Sequence, residues 1–407
     1  MRTILISATV AVLAGSLGAC SGDKGPPPRT PEQRGTDSAP AVTALQAGTF
    51  DAAAKEATAA LALDPRNAQA AAVRAIAGYQ QAGSEMVHEL GRILEESDAL
   101  HAIDHVAGRQ AWQTFIDRLD AIDRDLAVVA ADPGFSLELC LACWEHDWNH
   151  SGEIDDGDRR MFEIEYDGNG EELPEGDPRR RPTFRFDTGD AEWARAMLSF
   201  QRAGVELVLA YKWSELDQLF RGEPERLVIR VNDAARVKRA REHILRGVDF
   251  ADRCRAAYLA ETDDDREWVP NPRQKSFAVP LAVDDQLYAT WSAVTRDVRH
   301  LLRGDEGISM REVARLVDDD LERLVPDAYV DLGKMLAEPS DIVIEIRGVD
   351  GDNPKDVEKV LRGLLGKGYA TRMKPSPLVG RLNAMKQQLD RNEDTMERKL
   401  RYLFWLN

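Results

Sequence analysis

The chain has 407 residues, 43% of them hydrophobic, and its 71 acidic side chains outnumber 53 basic ones to give a formal net charge of -18. Length and apolar content suffice for two or three folded domains and exclude a wholly disordered chain. The negative balance excludes a nucleic-acid binder, whose partner's phosphates demand a basic surface, and suits a protein that attracts cations.

From the N-terminus, residues 1–20 read MRTILISATVAVLAGSLGAC. Arg2 supplies a positive start and Ile4 to Leu17 a short apolar run with small residues behind it, the pattern of a secretory signal too short to span a bilayer. Leu17-Gly18-Ala19-Cys20 resembles the lipobox of bacterial lipoproteins. The resemblance implies cleavage after residue 19, acylation (palmitate-type) of Cys20 and a membrane anchor, and Ser21 in place of an Asp implies the outer membrane, on its periplasmic or surface side. Ordinary secretion with a free Cys20 is the alternative. Residues 20–41, rich in Pro, Gly and charge, read as a flexible tether.

Over 42–135 the pattern turns helical. Phe50, Ala53, Ala57, Ala60 and Leu61 form a stripe, Asp64-Pro65 stops that helix, and Asn67 caps the next. Gly48, Phe50, Ala53, Ala60, Pro65 and Asn67 resemble the tetratricopeptide repeat, with one repeat and half of another ending near Gly83; a generic Ala-rich hairpin is the alternative. Such a unit must pack on following helices or on a partner protein. Two further helices are expected over 85–131, with Trp112, Phe115, Leu119, Ile122 and Leu126 on one face, ended by Asp132-Pro133-Gly134.

The segment with the most chemistry is 147–158, DWNHSGEIDDGD. Calcium is a hard cation that takes oxygen donors, and a tight loop converges them from alternate positions. Asp147, Asn149, Ser151, Asp155 and Asp158 hold the first, third, fifth, ninth and twelfth places. Glu153 offers its carbonyl at the seventh, Gly152 allows the reversal at the sixth, and Ile154 is an apolar peg. The loop resembles those of the EF-hand family, and Asp at its twelfth place is closer to the dockerin subgroup. This predicts one weakly held calcium ion, on the order of 10⁻⁴–10⁻³ M; an ion-free Asp/Asn/Gly-rich turn is the alternative. A second segment from Asp167, DGNGEELPEGDP, has Glu172 where glycine is needed and Pro178 at the twelfth place.

Ser136 is expected to open a helix into this loop, carrying Leu137, Cys140, Leu141 and Trp144. FEIEY (162–166) and TFRFD (183–187) are expected to pair as a small hairpin, with Arg179-Arg180-Arg181 in a solvated loop between them. Asp187 or Thr188 can cap a long helix through Leu209. Further helices are expected through Val237–Tyr258, at 285–302 and at 310–324, with a loop at 263–275, a strand at 341–346 and helix from Pro354 onward.

With Cys20 lipidated, Cys140, Cys143 and Cys254 remain; a bridge between Cys254 and one of the pair is expected, with one thiol left over. Cys140, Cys143, His146 and His150 also have the ligand types of a zinc site, at spacing unsuited to a closed tetrahedron. His101 and His105 lie one helical turn apart, and HAID (101–104) resembles the HxxE motif of imelysin-like periplasmic proteins, with Asp104 in place of the glutamate; solvated histidines on a helix face are the alternative. The Asp263–Asp265 and Asp318–Asp320 runs read as solvated ends. Phosphate-loop, dinucleotide and serine-hydrolase motifs are absent from the sequence.

The expected fold is mostly α: a signal peptide (1–19), a tether (20–41), a tetratricopeptide-like region (42–135), a calcium loop with hairpin (136–187), a central helical domain (188–338) and a C-terminal strand with helices (339–407). The expected function is that of a calcium-binding envelope lipoprotein acting as a structural or protein-interaction module, its protein partner unidentified. The alternatives are a metal-assisted or carboxylate-based envelope hydrolase and an imelysin-like metal-associated protein.

Overall fold

The computed structural model describes residues 29–96, 103–148, 150–167, 171–222, 224–264, 266–275, 283–317 and 319–389. The expected signal peptide (1–19), Cys20 and His101 lie outside them. The fold is mostly helical with a few short antiparallel strands.

Helix α1 (Pro31–Gln46) opens on a reciprocal cap: Thr30 accepts from the Gln33 amide while the Gln33 side chain accepts from the Thr30 amide, and Pro31 sits at the first helical position. The tether expected to run to residue 41 is therefore helical from Pro31. Pro40 forfeits one backbone bond, which the helix tolerates because Ala41 and Leu45 are buried against its neighbours. Helices α2 (Phe50–Leu63) and α3 (Ala68–Glu95) follow, and the three pack on one another. Small side chains make the close approach possible, with Ala53, Ala57, Ala70, Ala71 and Ala77 fully buried.

Asn67 caps α3 as expected, accepting from the Ala70 amide at 3.1 Å and donating to the Arg34 carbonyl at 2.9 Å. Its replacement by Ala is expected to cost about 1–3 kcal/mol, because a buried amide and carbonyl lose their partner together; urea unfolding measures it. No break falls near Gly83, and α3 runs on through it to Glu95.

Helix α4 (His105–Ala130) returns antiparallel along α3, as the Arg74–Asp125 and Arg118–Glu85 pairs show. The helix expected at Ser136 does not form. Strand β1 (Leu137–Leu139) and a 3₁₀ turn (Leu141–Cys143) stand in its place. Strand β2 (Phe184–Phe186) pairs antiparallel with β1, Leu137 opposite Phe186 and Leu139 opposite Phe184, all four buried. TFRFD therefore finds β1 rather than FEIEY. FEIEY instead folds onto residues 171–180 through Ile164 N to Arg180 O and Leu173 N to Glu165 O. Of the arginine triplet expected in a solvated loop, Arg179 and Arg181 are exposed, but Arg180 is buried against Glu163, which Arg181 also reaches, both at 2.8 Å. The short helix α5 (Asp156–Arg160) lies between β1 and β2 in sequence.

Asp187 caps α6 (Thr188–Ala210), accepting from Gly189 and Asp190 amides. After α7 (Asp217–Arg221) and β3 (Arg226–Ile229), α8 (Ala234–Ala260) runs antiparallel to α6, tied by Arg253–Glu192 near one end and by Arg236 and Arg239 on Glu206 at the other. Helix α9 (Asp285–Arg303) packs on α8 through Arg299 with Asp249 and Asp252. The C-terminal part holds β4 (Ile308–Ser309), α10 (Met310–Val317), α11 (Asp319–Leu324), β5 (Tyr329–Val330), α12 (Leu332–Ala337), β6 (Ile342–Glu345), α13 (Pro354–Leu365), β7 (Tyr369–Ala370) and α14 (Leu378–Leu389). Its strand β6 pairs antiparallel with β3, so the C-terminal segment shares a sheet with the central helices, and α13 packs on that sheet.

Candidate functional site

The 147–158 loop is built by its own carboxylates. Asp147 accepts from the Ser151 amide at 3.0 Å and the Gly152 amide at 2.7 Å, which draws the loop into a tight reversal; Gly152 takes φ +91° and His150 φ +55°. Asp155 caps α5 through the Asp158 amide at 3.0 Å. Asp158 is buried and accepts from the Trp148 amide at 2.9 Å and the Asp155 amide at 3.0 Å, so the last residue of the loop is tied to its second. The Ser151 hydroxyl donates to the Glu153 carbonyl at 2.9 Å. Asn149 lies outside the described residues. Ile154 is half-buried.

Asp147, Ser151, Glu153, Asp155 and Asp158 carry oxygen donors only, the ligand type a hard divalent ion takes. Asp147 and Asp158 are each oriented by two amide bonds and Asp155 by one. In this arrangement, among the described residues, no three His, Cys, Asp or Glu side chains are gathered as a metal site.

The loop is fastened to the N-terminal helices on two sides. Trp148 joins a cluster with Phe50, Trp144, His146 and Phe162, at centroid separations from 4.6 Å (His146–Trp148) to 6.2 Å (Trp144–Trp148). Burial pulls the His146 imidazole below its ordinary range, and the facing His150 adds to this. Gly48, at φ +71°, turns α1 into α2 directly against this segment: a Cβ there would stand 3.0 Å from the Glu145 amide nitrogen. On the other side His150 Nε2 meets the Ser84 hydroxyl of α3 at 2.7 Å.

The cysteines pair otherwise than expected. Cys140 and Cys143 are bonded to each other, their Cα atoms 5.2 Å apart across the 3₁₀ turn, and Cys254 is a free thiol buried on α8. The bridge to Cys254 does not form because the 3₁₀ turn brings Cys140 and Cys143 within bonding reach of each other. The same bond consumes both thiolates of the possible zinc set with His146 and His150. Asp104 caps α4 through the Val106 and Ala107 amides, and His105 is not a solvated histidine: its Nε2 meets Asp217 at 2.8 Å. In the second acidic segment Asp167 accepts from the Glu171 amide, and residues 168–170 lie outside the described ones.

A second feature escaped the sequence. Where α6 begins and α8 ends, Asp187, Asp190, Glu261 and Glu267 gather beside Tyr258 and Tyr288. Asp190 accepts from the Tyr258 hydroxyl at 2.7 Å and from the Asp187 amide at 2.8 Å. Burial, reinforced by the Asp187 charge, lifts the Asp190 carboxyl well above the usual carboxylate range. Burial likewise lifts Glu261, to about 9, helped by the charge of Asp187 and by a hydrogen bond to it. The only sequence signal was the Asp187-x-x-Asp190 capping spacing.

Asp187 and Asp190 close one end of a cavity of about 90 Å³ between α3, α4, α6 and the β1–β2 ribbon, whose walls are otherwise almost wholly apolar.

Comparison with models of protein families, with curated proteins and with solved structures finds no match for the chain.

Proposed function

We propose that residues 147–158 bind one calcium ion and that the chain serves as a structural or protein-interaction module of the cell envelope, tethered through an acylated Cys20. The observation that carries the reading is the double amide bond to Asp147 around the left-handed Gly152. It supports a loop wound for an ion rather than a loose acidic turn. Asp147, Asn149, Ser151, Asp155 and Asp158 would hold the ion with side-chain oxygens or a bridging water, and Glu153 with its carbonyl.

The aromatic cluster and the His150–Ser84 contact give the site its role. Both lead from the loop into the tetratricopeptide-like hairpin of α1 and α2 and into α3. An ion that stiffens the loop would therefore fix how these helices are presented to a partner protein.

At 10 mM calcium, about 10–100 times the expected dissociation constant, mass action should add about 1.4–2.7 kcal/mol to the folded state. A rise in melting temperature of a few degrees over the chelated protein is expected, with a change in tryptophan emission from Trp148. Asp147→Ala should abolish the calcium-dependent difference, even if its own baseline is lower. An equal shift in that variant, or calorimetry without heat at millimolar calcium, overturns the reading.

A further inference from the structure

The cavity beside Asp187 and Asp190 lies apart from the calcium loop. Its lining on α6 is one continuous stripe, from Asp187 and Asp190 through Ala194 and Met197 to Gln201. At 1.5 Å per residue that stripe is about 21 Å long. The cavity, of about 90 Å³, is bordered on α6 by residues spread along this whole stripe, and we read it as a slot. A lipid acyl chain spans about 15 Å, half the hydrocarbon core of a bilayer.

The space exists because alanines stand where larger side chains would fill it: Ala72 and Ala75 on α3, Ala191 and Ala194 on α6. The floor is buried and includes Leu126, Val129 and Trp268, whereas Ile76, Trp193 and Met197 at the side keep accessible surface. Two polar atoms in this lining are buried with no hydrogen-bond partner among the described residues, the Gln201 Oε1 acceptor and the Trp193 Nε1 donor. Trp193 lies one helical turn from Asp190, so its unpartnered Nε1 calls for a polar group at that end of the lining, which a ligand's head can supply; Gln201, at the far end, lies beyond the reach of that head.

We propose that this slot binds a single linear alkyl chain carrying an uncharged hydroxyl head, with the head at the Asp187–Asp190 end. The walls offer apolar contact along the length of a chain, and each methylene removed from water contributes about 0.8 kcal/mol. At the head end the carboxyls of Asp187 and Asp190 stand without a guanidinium or ammonium group in the lining. A hydroxyl can both donate to and accept from such groups, whereas an anionic head would meet like charge.

The test uses the full-length protein in chelator, which separates it from the calcium reading. Titration with 1-dodecanol should change tryptophan emission saturably at one site per chain, since Trp193 and Trp268 form part of the wall. Dodecanoate at pH 8 should bind at least tenfold more weakly. Ala194→Phe and, as a second obstruction on the facing helix, Ala75→Leu should each weaken dodecanol at least tenfold, with circular dichroism confirming which variant keeps its fold. Absence of saturable binding overturns the proposal, as does binding undiminished in a folded variant. Equal affinity for dodecanoate overturns the assignment of the head.

Discussion

Asp123→Ala is expected to destabilise the protein by about 3–5 kcal/mol, measured by urea unfolding, because it leaves a buried cation without its main counter-charge. Arg202 on α6 is 1% exposed and points into α4, where its Nη1 meets Asp123 at 3.2 Å and its Nη2 meets Asp120 and the Leu119 carbonyl, both at 2.8 Å. Asp120 is half exposed, so solvent screens its contribution. Asp123 is mostly buried and also accepts from Arg195 at 2.9 Å. Burial works against its ionisation, yet the Arg195 bond and the two guanidinium charges outweigh it and hold the carboxyl below its usual range. A depressed carboxylate contributes stability above its ordinary value of 3.8, and that contribution is lost as pH falls through the lower folded value. The variant should accordingly lose less stability than the parent on acidification below pH 4. Arg202→Met, which removes the charge instead of stranding it, should cost clearly less than Asp123→Ala. An equal cost would mean that packing of the arginine stem, and not the ion pair, joins α4 to α6.

What the sequence disclosed followed the strength of the local signal. Asn67 and Asp187 announce helix starts by short side chains that satisfy free amides, and α6 and α8 carry apolar stripes long enough to be unambiguous. The 341–346 strand was legible from its β-branched run, but its partner, more than a hundred residues earlier at 226–229, left no local trace. Residues 137–144 misled because Leu137, Cys140, Leu141 and Trp144 fall at helical spacing. Over so few residues that spacing does not exclude a strand followed by a turn, and the Cys140–Cys143 bond and pairing with β2 decide the matter. The region around Pro31–Ala41 misled through composition: Gly35 and Pro40 lower helix propensity, but Thr30, Gln33 and burial against α2 and α3 outweigh it. The tight reversal at 147–158 was legible because Asp147, Ser151 and Gly152 are contiguous in the chain. Its fastening to Phe50 and Ser84 was not, nor was the cavity, since both depend on helices far apart in sequence.

Glu261→Gln is expected to change how the protein responds to alkali. Glu261 follows the C-terminus of α8; its Oε2 accepts from Gln274 Nε2 at 3.2 Å, its Oε1 is buried without a donor, and its carboxyl meets that of Asp187. Asp190, Glu267, Tyr258 and Tyr288 surround the pair. Arg273, close by, donates to the Leu259 and Glu261 carbonyls. Burial pushes the Glu261 carboxyl up from 4.5 to about 9, and the charge of Asp187 and the hydrogen bond to it add to this. A raised folded value means that the native state holds a proton the unfolded chain has released. Stability from this site is therefore complete below pH 4.5, declines as pH rises, and is gone above about pH 9. Glutamine keeps a donor toward Asp187 and has no proton to lose. Parent and variant should melt together near pH 5, and by pH 9 the variant should melt higher by on the order of a few degrees. Parallel melting curves across that range would show that Glu261 ionises like an exposed carboxyl, with its negative charge tolerated beside Asp187.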